Sequence, residues 1–223
     1  MKRYVIIVAG GSGQRMKSSI PKQFLEINTE IILMRSIRAF FNYDSSISII
    51  LVLPENQFDY WQKLCDKYQF KINHKLITGG ETRFHSVKNG LQAVDSEGFV
   101  AIHDGVRPLI DKSTIDTIYK TAVEKGNAIP YIDCNNSVRI EQNNTNQIID
   151  RNKIKLIQTP QAFDTKIILE AYKQNWDESF TDDASVVEKL GYKINLVKGN
   201  KRNIKITTKI DLIVAKAILS EDK

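Results

Sequence analysis

The stretch Tyr4-Val-Ile-Ile-Val-Ala-Gly-Gly-Ser-Gly-Gln-Arg-Met-Lys-Ser-Ser-Ile-Pro-Lys22 indicates the fold class. Its first part, Tyr4 to Ala9, is apolar, rich in β-branched residues and bounded by glycine, as is typical of a buried parallel strand. Glycines at the end of such a strand let the chain turn sharply and bring backbone N–H groups close to an anion; they are Gly10, Gly11 and Gly13. Two cations, Arg15 and Lys22, lie in the same loop. The stretch therefore predicts an α/β protein with a loop suited to a polyphosphate.

This loop does not match the common glycine-rich motifs. A P-loop needs glycine at the sixth position from its first glycine, and counted from Gly10 that position is Arg15. The dinucleotide fingerprint G-x-G-x-x-G fits Gly11 and Gly13, but Met16 stands where its third glycine should be. The sequence thus indicates a nucleotide loop of another kind, or a tight strand-to-loop turn that binds no ligand.

The composition is that of an ordinary globular protein. The chain has 223 residues, of which 42% are hydrophobic and 26% charged, enough for one large α/β domain with its own core. The formal net charge of +6 is carried by dispersed side chains, so we expect contacts with phosphorylated small molecules rather than with nucleic acid. No apolar run approaches the roughly 18 residues of a membrane span, and no signal-peptide pattern precedes the first strand. We expect a cytoplasmic protein without a membrane partner, in which Cys65 and Cys134 are free thiols.

Polar residues follow two later strands. A strand predicted over 71–77 leads through two glycines into a helix that begins near Phe84, and an apolar strand over 98–103 ends in Asp104. In an open parallel sheet, ligands gather at the carboxyl ends of strands, where a carboxylate can hold a divalent cation beside phosphates. The alternative is that Asp104 pairs with Arg107 and only shapes the turn.

Alternating strand and helix patterns predict a doubly wound sheet. A strand over 128–132 is expected to continue the βαβ series. Hydroxyl residues indicate helix starts at Ser113 and Thr181, and Thr208 is expected to cap the last helix. A short strand is expected near 204–207.

Residues 133–150 are polar and rich in asparagine. Two β-like pieces, 137–141 and 147–150, flank a loose turn and predict a hairpin. A hairpin this polar cannot lie in the core, and a two-stranded arm is marginal alone. We expect it to pair with something, the alternative being a free surface hairpin.

Several motifs of the chain resemble those of one enzyme family. They are V-A-G-G-S-G-Q-R-M at 8–16, I-P-K-Q-F-L at 20–25, the glycine–arginine–serine pattern at 79–86, H-D-G-V-R-P at 103–108, D-R-N at 150–152, T-P-Q at 159–161, T-D-D-A-S at 181–185 and N-I-K-I-T at 203–207. Together they are similar to cytidylyltransferases that act on small polyol phosphates, above all the 2-C-methyl-D-erythritol 4-phosphate cytidylyltransferase family. The resemblance implies a Rossmann-like nucleotidyltransferase (GT-A-like) fold with a mostly parallel doubly wound sheet. It also implies one domain over 1–223, with a β-arm at about 133–158 that joins two subunits into a homodimer.

The resemblance also implies a role for each motif residue. Those implied in CTP binding are Ala9, Gly10, Gly11, Gly13, Arg15, Lys22, Gly80, Glu81, Arg83, Ser86, Gly105 and Lys205. Those implied in binding the polyol phosphate are Asp104, Arg107, Ser137, Arg151, Thr159 and Thr181. The residues implied in catalysis are Arg15, Lys22, Arg151 and Lys205. Mg²⁺ or another divalent cation is the implied cofactor, with Asp104 as its ligand; some relatives carry an acid where this chain has Arg202.

The reaction implied is transfer of CMP from CTP to 2-C-methyl-D-erythritol 4-phosphate, with release of pyrophosphate. A ribitol 5-phosphate cytidylyltransferase would share the glycine loop and the chemistry, but its family tends to differ at 150–152 and 181–185. A nicotinamide-dependent oxidoreductase would need the missing third glycine. A non-catalytic nucleotide sensor is a further alternative, although every expected reacting position is filled.

Overall fold

The computed structural model describes residues 1–11 and 20–221. The strands are β1 Lys2–Val8, β2 Glu26–Ile27, β3 Glu30–Ile31, β4 Ser48–Leu53, β5 Lys75–Thr78, β6 Gly98–Asp104, β7 Asn127–Asp133, β8 Val138–Gln142, β9 Thr145–Ile149, β10 Lys155–Ile157, β11 Gln161–Asp164 and β12 Leu196–Lys198. The helices are α1 Ile32–Tyr43, α2 Phe58–Lys67, α3 Arg83–Leu91, α4 Lys112–Lys125, α5 Thr165–Ala171, α6 Asp183–Glu188 and α7 Lys209–Glu221. None of the helices in this described part is long and apolar enough to cross a membrane.

The central sheet has the order β5-β4-β1-β6-β11-β7-β10, and β12 also pairs with β7. Strand β1 pairs in parallel with β4 on one side and with β6 on the other. The chain therefore runs outward from β1 to β5 and then returns to the opposite side of β1. Such a reversal opens a crevice at the carboxyl ends of the two strands, here at Val8 and Asp104, which lie opposite each other in the register.

Helices cover both faces of the sheet. Side chains of β1 alternate between the faces, so Val5 and Ile7 pack under α1, α2 and α4, whereas Tyr4 and Ile6 pack under α3, α5 and α6. Because both faces of the sheet are covered, β6 is buried along its whole length, which explains the apolar run from Phe99 to Ile102. The doubly wound, mostly parallel sheet predicted from the sequence is confirmed.

Several local expectations were wrong. Strand β11 inserts antiparallel between β6 and β7, so β7 does not extend the βαβ series directly. Aspartates cap two helices where hydroxyls were expected. Asp111, two residues before Ser113, caps α4, and Asp182, one residue after Thr181, caps α6, because each carboxylate accepts from a free N–H group of the first turn. Residues 203–207 form no strand; Ile206 makes a single backbone hydrogen bond to Val106. The cap at Thr208 is confirmed, because its hydroxyl accepts from Asp211 N at 3.2 Å.

The predicted hairpin is confirmed as the β8–β9 pair. Its register places Val138 opposite Ile149 and Ile140 opposite Gln147, and directly opposed side chains share a face. Ile140 is 41% exposed, and Ile148 on the other face is 73% exposed. These apolar side chains find no cover within the described chain. The hairpin is accordingly a projecting element rather than part of the core.

Candidate active site

A cleft of about 440 Å³ opens at the carboxyl ends of β1 and β6. The structure brings together here ten of the predicted site residues: Ala9, Gly10, Gly11, Lys22, Gly80, Glu81, Arg83, Ser86, Asp104 and Lys205. Gly13 and Arg15, also predicted, lie outside the described residues. The sequence motifs that are far apart along the chain therefore converge on one cavity, as the strand order requires.

The glycine loop and Lys22 form one wall of this cleft. Lys22 opens a short 3₁₀ helix, Lys22–Phe24, behind Pro21. Its side chain runs past Gly11, where an added Cβ would come within 3.5 Å of Lys22 Cε and 3.7 Å of Nζ. A methyl group at Gly11 would therefore be in ordinary van der Waals contact with the Lys22 side chain. Glycine leaves backbone and cation side by side, as an anion site requires.

Gln23 is a site residue that the sequence reasoning missed. It is 1% exposed, and its Nε2 donates to the Ala9 carbonyl at 2.8 Å and to Gln57 Oε1 at 2.8 Å. The amide thus ties the end of β1 to the Lys22 helix. Its place within the I-P-K-Q-F-L motif at 20–25, directly after Lys22, is the signal in the sequence that could have found it.

The opposite wall comes from the turn between β5 and α3. Ser86 is buried, and its hydroxyl accepts a hydrogen bond from Gly80 N at 3.0 Å. Thr82 caps α3 by accepting from His85 N. The hydroxyl of Ser86 therefore shapes the turn that presents Gly80 and Glu81 to the cleft.

Asp104 is the electrostatic centre of the site. Its carboxylate lies 3.0 Å from Lys205 Nζ, 3.2 Å from Arg107 Nε and 3.6 Å from Arg83 Nε. Burial by itself would raise the pKa of Asp104, but the charges of Arg83, Lys205 and Arg107 outweigh it and hold that pKa well below its usual range. The group is therefore ionised at any pH at which the protein works.

Arg83 is held by an acid that the sequence reasoning passed over. Its two terminal nitrogens donate to Asp183 at 2.9 and 2.6 Å. Asp183 is fully buried and also accepts from the Tyr172 hydroxyl at 2.7 Å. A bidentate pair of this kind fixes the plane of the guanidinium. The signature T-D-D-A-S had drawn attention to Thr181, whereas its second aspartate makes the buried contact.

A second, smaller cleft of about 270 Å³ lies next to the first. Arg83, Asp104 and Lys205 line both cavities. The second cavity adds Arg107, Thr159, Thr181 and residues beside them, so three more of the predicted polyol-phosphate contacts are found together. The shared charged cluster forms the boundary between two cavities.

Below the boundary, His103 and Thr159 form a buried relay of hydrogen bonds. His103 Nε2 lies 3.1 Å from the Arg107 carbonyl, which can only accept, so Nε2 carries the proton. His103 Nδ1 therefore accepts from the Thr159 hydroxyl at 3.2 Å, and that oxygen accepts from Asp104 N at 3.0 Å. Burial lowers the pKa of His103 to about 4. The ring is thus a neutral support beneath Asp104.

Three predicted residues are not brought to either cavity within the described part of the chain. Ser137 and Arg151 are exposed at the base of the hairpin, where Arg151 Nη1 donates to the Asn135 carbonyl at 2.9 Å. Gly105 is buried behind the first cleft, and an added Cβ would lie 2.9 Å from both Ala9 Cβ and Leu33 Cδ1. Its glycine is required by close packing, so its position gives no support to the expected contact with CTP.

The residues fit only a metal ion that is carried largely by its substrate. No group of three or more His, Cys, Asp or Glu side chains that could hold a metal occurs among residues 1–11 and 20–221. Asp104 supplies one ionised carboxylate at the junction of the cavities. Mg²⁺ commonly uses one or two carboxylates together with substrate phosphates, so this donor set suits a magnesium–nucleotide complex.

The fold and the two joined cavities define a nucleotide-binding α/β protein of the nucleotidyltransferase type. The family described as 2-C-methyl-D-erythritol 4-phosphate cytidylyltransferase matches residues 4–221, and the chain belongs to that family. This confirms the resemblance read from the motifs.

Relatives and solved structures agree with this assignment. A protein of Phocaeicola vulgatus named 2-C-methyl-D-erythritol 4-phosphate cytidylyltransferase is 50% identical over 98% of this chain and 100% of its own length. One of Geobacillus thermodenitrificans with the same name is 35% identical over 99% of this chain and 98% of its own. The crystal structure of 4-diphosphocytidyl-2C-methyl-D-erythritol synthase from Anaerococcus prevotii superposes with a TM-score of 0.83 at 29% identity, covering 98% of this chain and 96% of that one.

Proposed function

We propose that this protein transfers CMP from CTP to 2-C-methyl-D-erythritol 4-phosphate, giving 4-diphosphocytidyl-2-C-methyl-D-erythritol and pyrophosphate. Family membership supports the reaction, and the observation that carries it is the shared boundary of the two cavities. Arg83, Asp104 and Lys205 line both, so two anionic substrates bound side by side would meet at one charged cluster.

CTP occupies the larger cleft in this proposal. The triphosphate lies against the glycine loop and Lys22, where backbone N–H groups and the ammonium group offer donors. Gly80, Glu81, Arg83 and Ser86 line the cytidine and ribose side. The polyol phosphate occupies the smaller cleft, near Arg107, Thr159 and Thr181.

The reaction then needs positioning and charge stabilisation rather than covalent catalysis. A phosphate oxygen of the polyol attacks the α-phosphorus of CTP, a new P–O bond forms, and the bond to the leaving pyrophosphate breaks with its electron pair. No general base is required, since a phosphate monoester is already ionised near neutral pH. Lys22 and Lys205 reduce the repulsion between the two anions and stabilise the charge of the transition state. Arg15, which lies outside the described residues, is proposed to act with them.

Asp104 would hold a divalent cation together with the triphosphate oxygens. When bound, the ion would neutralise part of the negative charge of the phosphates. The protein keeps Asp104 ionised, and it holds the residue in place through the hydrogen bond that Asp104 N donates to the Thr159 hydroxyl.

The hairpin is proposed to complete the site of a second copy of the chain. Arg151 and Ser137 lie at its base, away from both cavities of their own subunit. An exposed two-stranded element with apolar side chains on both faces is marginal without a partner. In a two-fold dimer each subunit would extend its arm to the other. Arg151 of each arm would then hold the polyol phosphate bound to the other subunit.

The test is pyrophosphate release from CTP and Mg²⁺, measured in parallel with 2-C-methyl-D-erythritol 4-phosphate and with ribitol 5-phosphate. Release with the first substrate alone is expected. Release with ribitol 5-phosphate alone would keep the chemistry but contradict the substrate. Release with neither, despite CTP binding, would support a non-catalytic role.

A further inference from the structure

Lys205 lies on a segment that has no regular secondary structure. Residues 199–205, here called the Lys205 segment, form neither helix nor strand. The Lys205 side chain is 42% exposed, so packing around the side chain does not hold it in place. The position of its ammonium group, 3.0 Å from Asp104, therefore depends on what holds the backbone of this segment.

Gln158 makes three hydrogen bonds to this segment. It is 4% exposed. Its Nε2 donates to the carbonyls of Asn200 at 2.9 Å and Asn203 at 3.2 Å, and its Oε1 accepts from Asn200 N at 3.2 Å. One side chain thereby satisfies both ends of the turn that precedes Lys205. The fit is tight, since a Cβ added at Gly199 would lie 2.4 Å from Gln158 Oε1.

Asn203 fastens the other end of the segment. It is fully buried, and its Nδ2 donates to the Thr159 carbonyl at 2.8 Å. Its own carbonyl accepts from Arg107 Nη1 at 2.8 Å. Its Oδ1 is buried and accepts no hydrogen bond from the described residues. The Asn203 side chain therefore holds the segment through its donor, Nδ2.

We propose that Gln158 and Asn203 are positioning residues for the transfer reaction, which lock the Lys205 segment onto the strand junction at Gln158–Thr159 so that Lys205 meets both substrates. The proposal rests on the role of Lys205 in the proposed function. The same junction carries Thr159, whose hydroxyl accepts from Asp104 N. The Gln158–Thr159 junction thus holds both the Lys205 segment and Asp104, the acid that pairs with Lys205.

A position fixed in this way matters because misplacing a catalytic cation by about 1 Å can cost about 100-fold in rate. A purely structural role predicts something different. It would lower stability and leave the rate of the folded protein unchanged. The two roles can be distinguished because a positioning role changes kcat, whereas a structural role changes only the stability.

The experiment is a double-mutant cycle between Gln158→Met and Lys205→Ala, with steady-state kinetics of pyrophosphate release. Methionine keeps the volume of glutamine but removes all three hydrogen bonds. We expect Gln158→Met to lower kcat about 10- to 100-fold with a smaller change in KM for CTP. In the Lys205→Ala background the same substitution should cost less than about 3-fold, because residues that act as a unit are not additive.

Gln174→Met is the matched control. Gln174 Nε2 also donates to two backbone carbonyls, those of Ala171 and Val186, both at 2.9 Å, but it lines neither cavity. We expect it to lower the unfolding temperature with kcat unchanged. Gly199→Ala is the second variant if Gln158→Met does not fold. Its added Cβ would displace the amide of Gln158 without changing residue 158 itself.

Three outcomes would overturn the inference. Unchanged kcat in folded Gln158→Met and Gly199→Ala would show a structural role only. If the fold-loss in kcat of the double variant equalled the product of the two single losses, Gln158 would act independently of Lys205. Normal activity of Lys205→Ala would instead remove the role of Lys205 in the proposed function, and the positioning inference with it.

Discussion

The buried carboxylate of Asp183 accepts two hydrogen bonds from Arg83, at 2.9 and 2.6 Å. Arg83 in turn lies 3.6 Å from Asp104. The guanidinium is therefore shared between an acid that belongs to the core and an acid that faces both cavities. This arrangement joins the stability of the fold to the charge of the site, and it leads to the first prediction.

Asp183→Asn should weaken both the fold and CTP binding. The variant keeps the shape but leaves Arg83 with a neutral partner and Tyr172 with a weaker acceptor. Because the Arg83 side chain is 29% exposed, water recovers part of the loss, and we expect the free energy of unfolding to fall by about 1–3 kcal/mol. KM for CTP should rise. Urea unfolding measures the free energy of unfolding, and the rate of pyrophosphate release at increasing CTP concentrations gives KM.

Glu188→Gln, an exposed change on the same helix α6, serves as the control for Asp183→Asn and should alter neither quantity. An Asp183→Asn protein with the stability and KM of the unchanged chain would show that the buried pair is not what orients Arg83.

Lys22→Ala should lower kcat/KM by about 100- to 1,000-fold while the fold stays intact. Removing one preorganised donor to a developing charge typically costs this much, and Lys22 lies beside the glycine loop in the larger cleft. Pyrophosphate release gives the rate, and circular dichroism checks the fold. Lys189→Ala, a change at the exposed residue that directly follows α6, is the control. A near-normal rate for Lys22→Ala would end its assignment as a catalytic residue.

Stability should fall in acid because of His103. Burial lowers its pKa in the folded state to about 4, from an ordinary value of 6.5. Between these values the unfolded chain binds a proton that the folded chain does not, so the free energy of unfolding decreases as the pH falls. The loss of stability begins as the pH falls below about 6.5 and amounts to about 3 kcal/mol once the pH reaches about 4.

Urea unfolding at a series of pH values would measure this slope. His103→Gln can still donate to the Arg107 carbonyl and accept from Thr159, so its profile should be flatter over the same range. If His103→Gln and the unchanged chain lose stability in parallel, another group must titrate.

If the arm completes the site of a second copy, as proposed, mixing two inactive variants should restore activity. Lys22→Ala damages the cleft of its own subunit, whereas Arg151→Met damages the arm offered to the partner. A mixed dimer would contain one intact site, made of the Arg151→Met cleft and the arm of the Lys22→Ala chain. Random pairing makes about half of the dimers mixed, with half of their sites intact, so about a quarter of the normal activity should return.

Co-refolded samples measured for pyrophosphate release would decide the matter. Two copies of the same variant refolded together are the control and should stay inactive. Mixed dimers that are present but inactive would place each complete site within one chain.

The sequence by itself determined the architecture and the residues to examine. The apolar strands, the glycines at their carboxyl ends and the alternation with helices specified a doubly wound sheet, because periodicity and backbone freedom are local properties. The motifs also indicated the residues that converge on the larger cleft, since parallel strands deliver their carboxyl ends to one edge.

Only the tertiary structure decided the contacts between distant segments. The pairing of Arg83 with Asp183, the insertion of β11 beside β6 and the clamp of Gln158 on residues 199–205 join positions that are tens of residues apart. No local pattern encodes such contacts, because they depend on which surfaces meet after the chain has folded. Gly105 illustrates the difference: no local pattern shows that Ala9 and Leu33 leave no space for a side chain at that position.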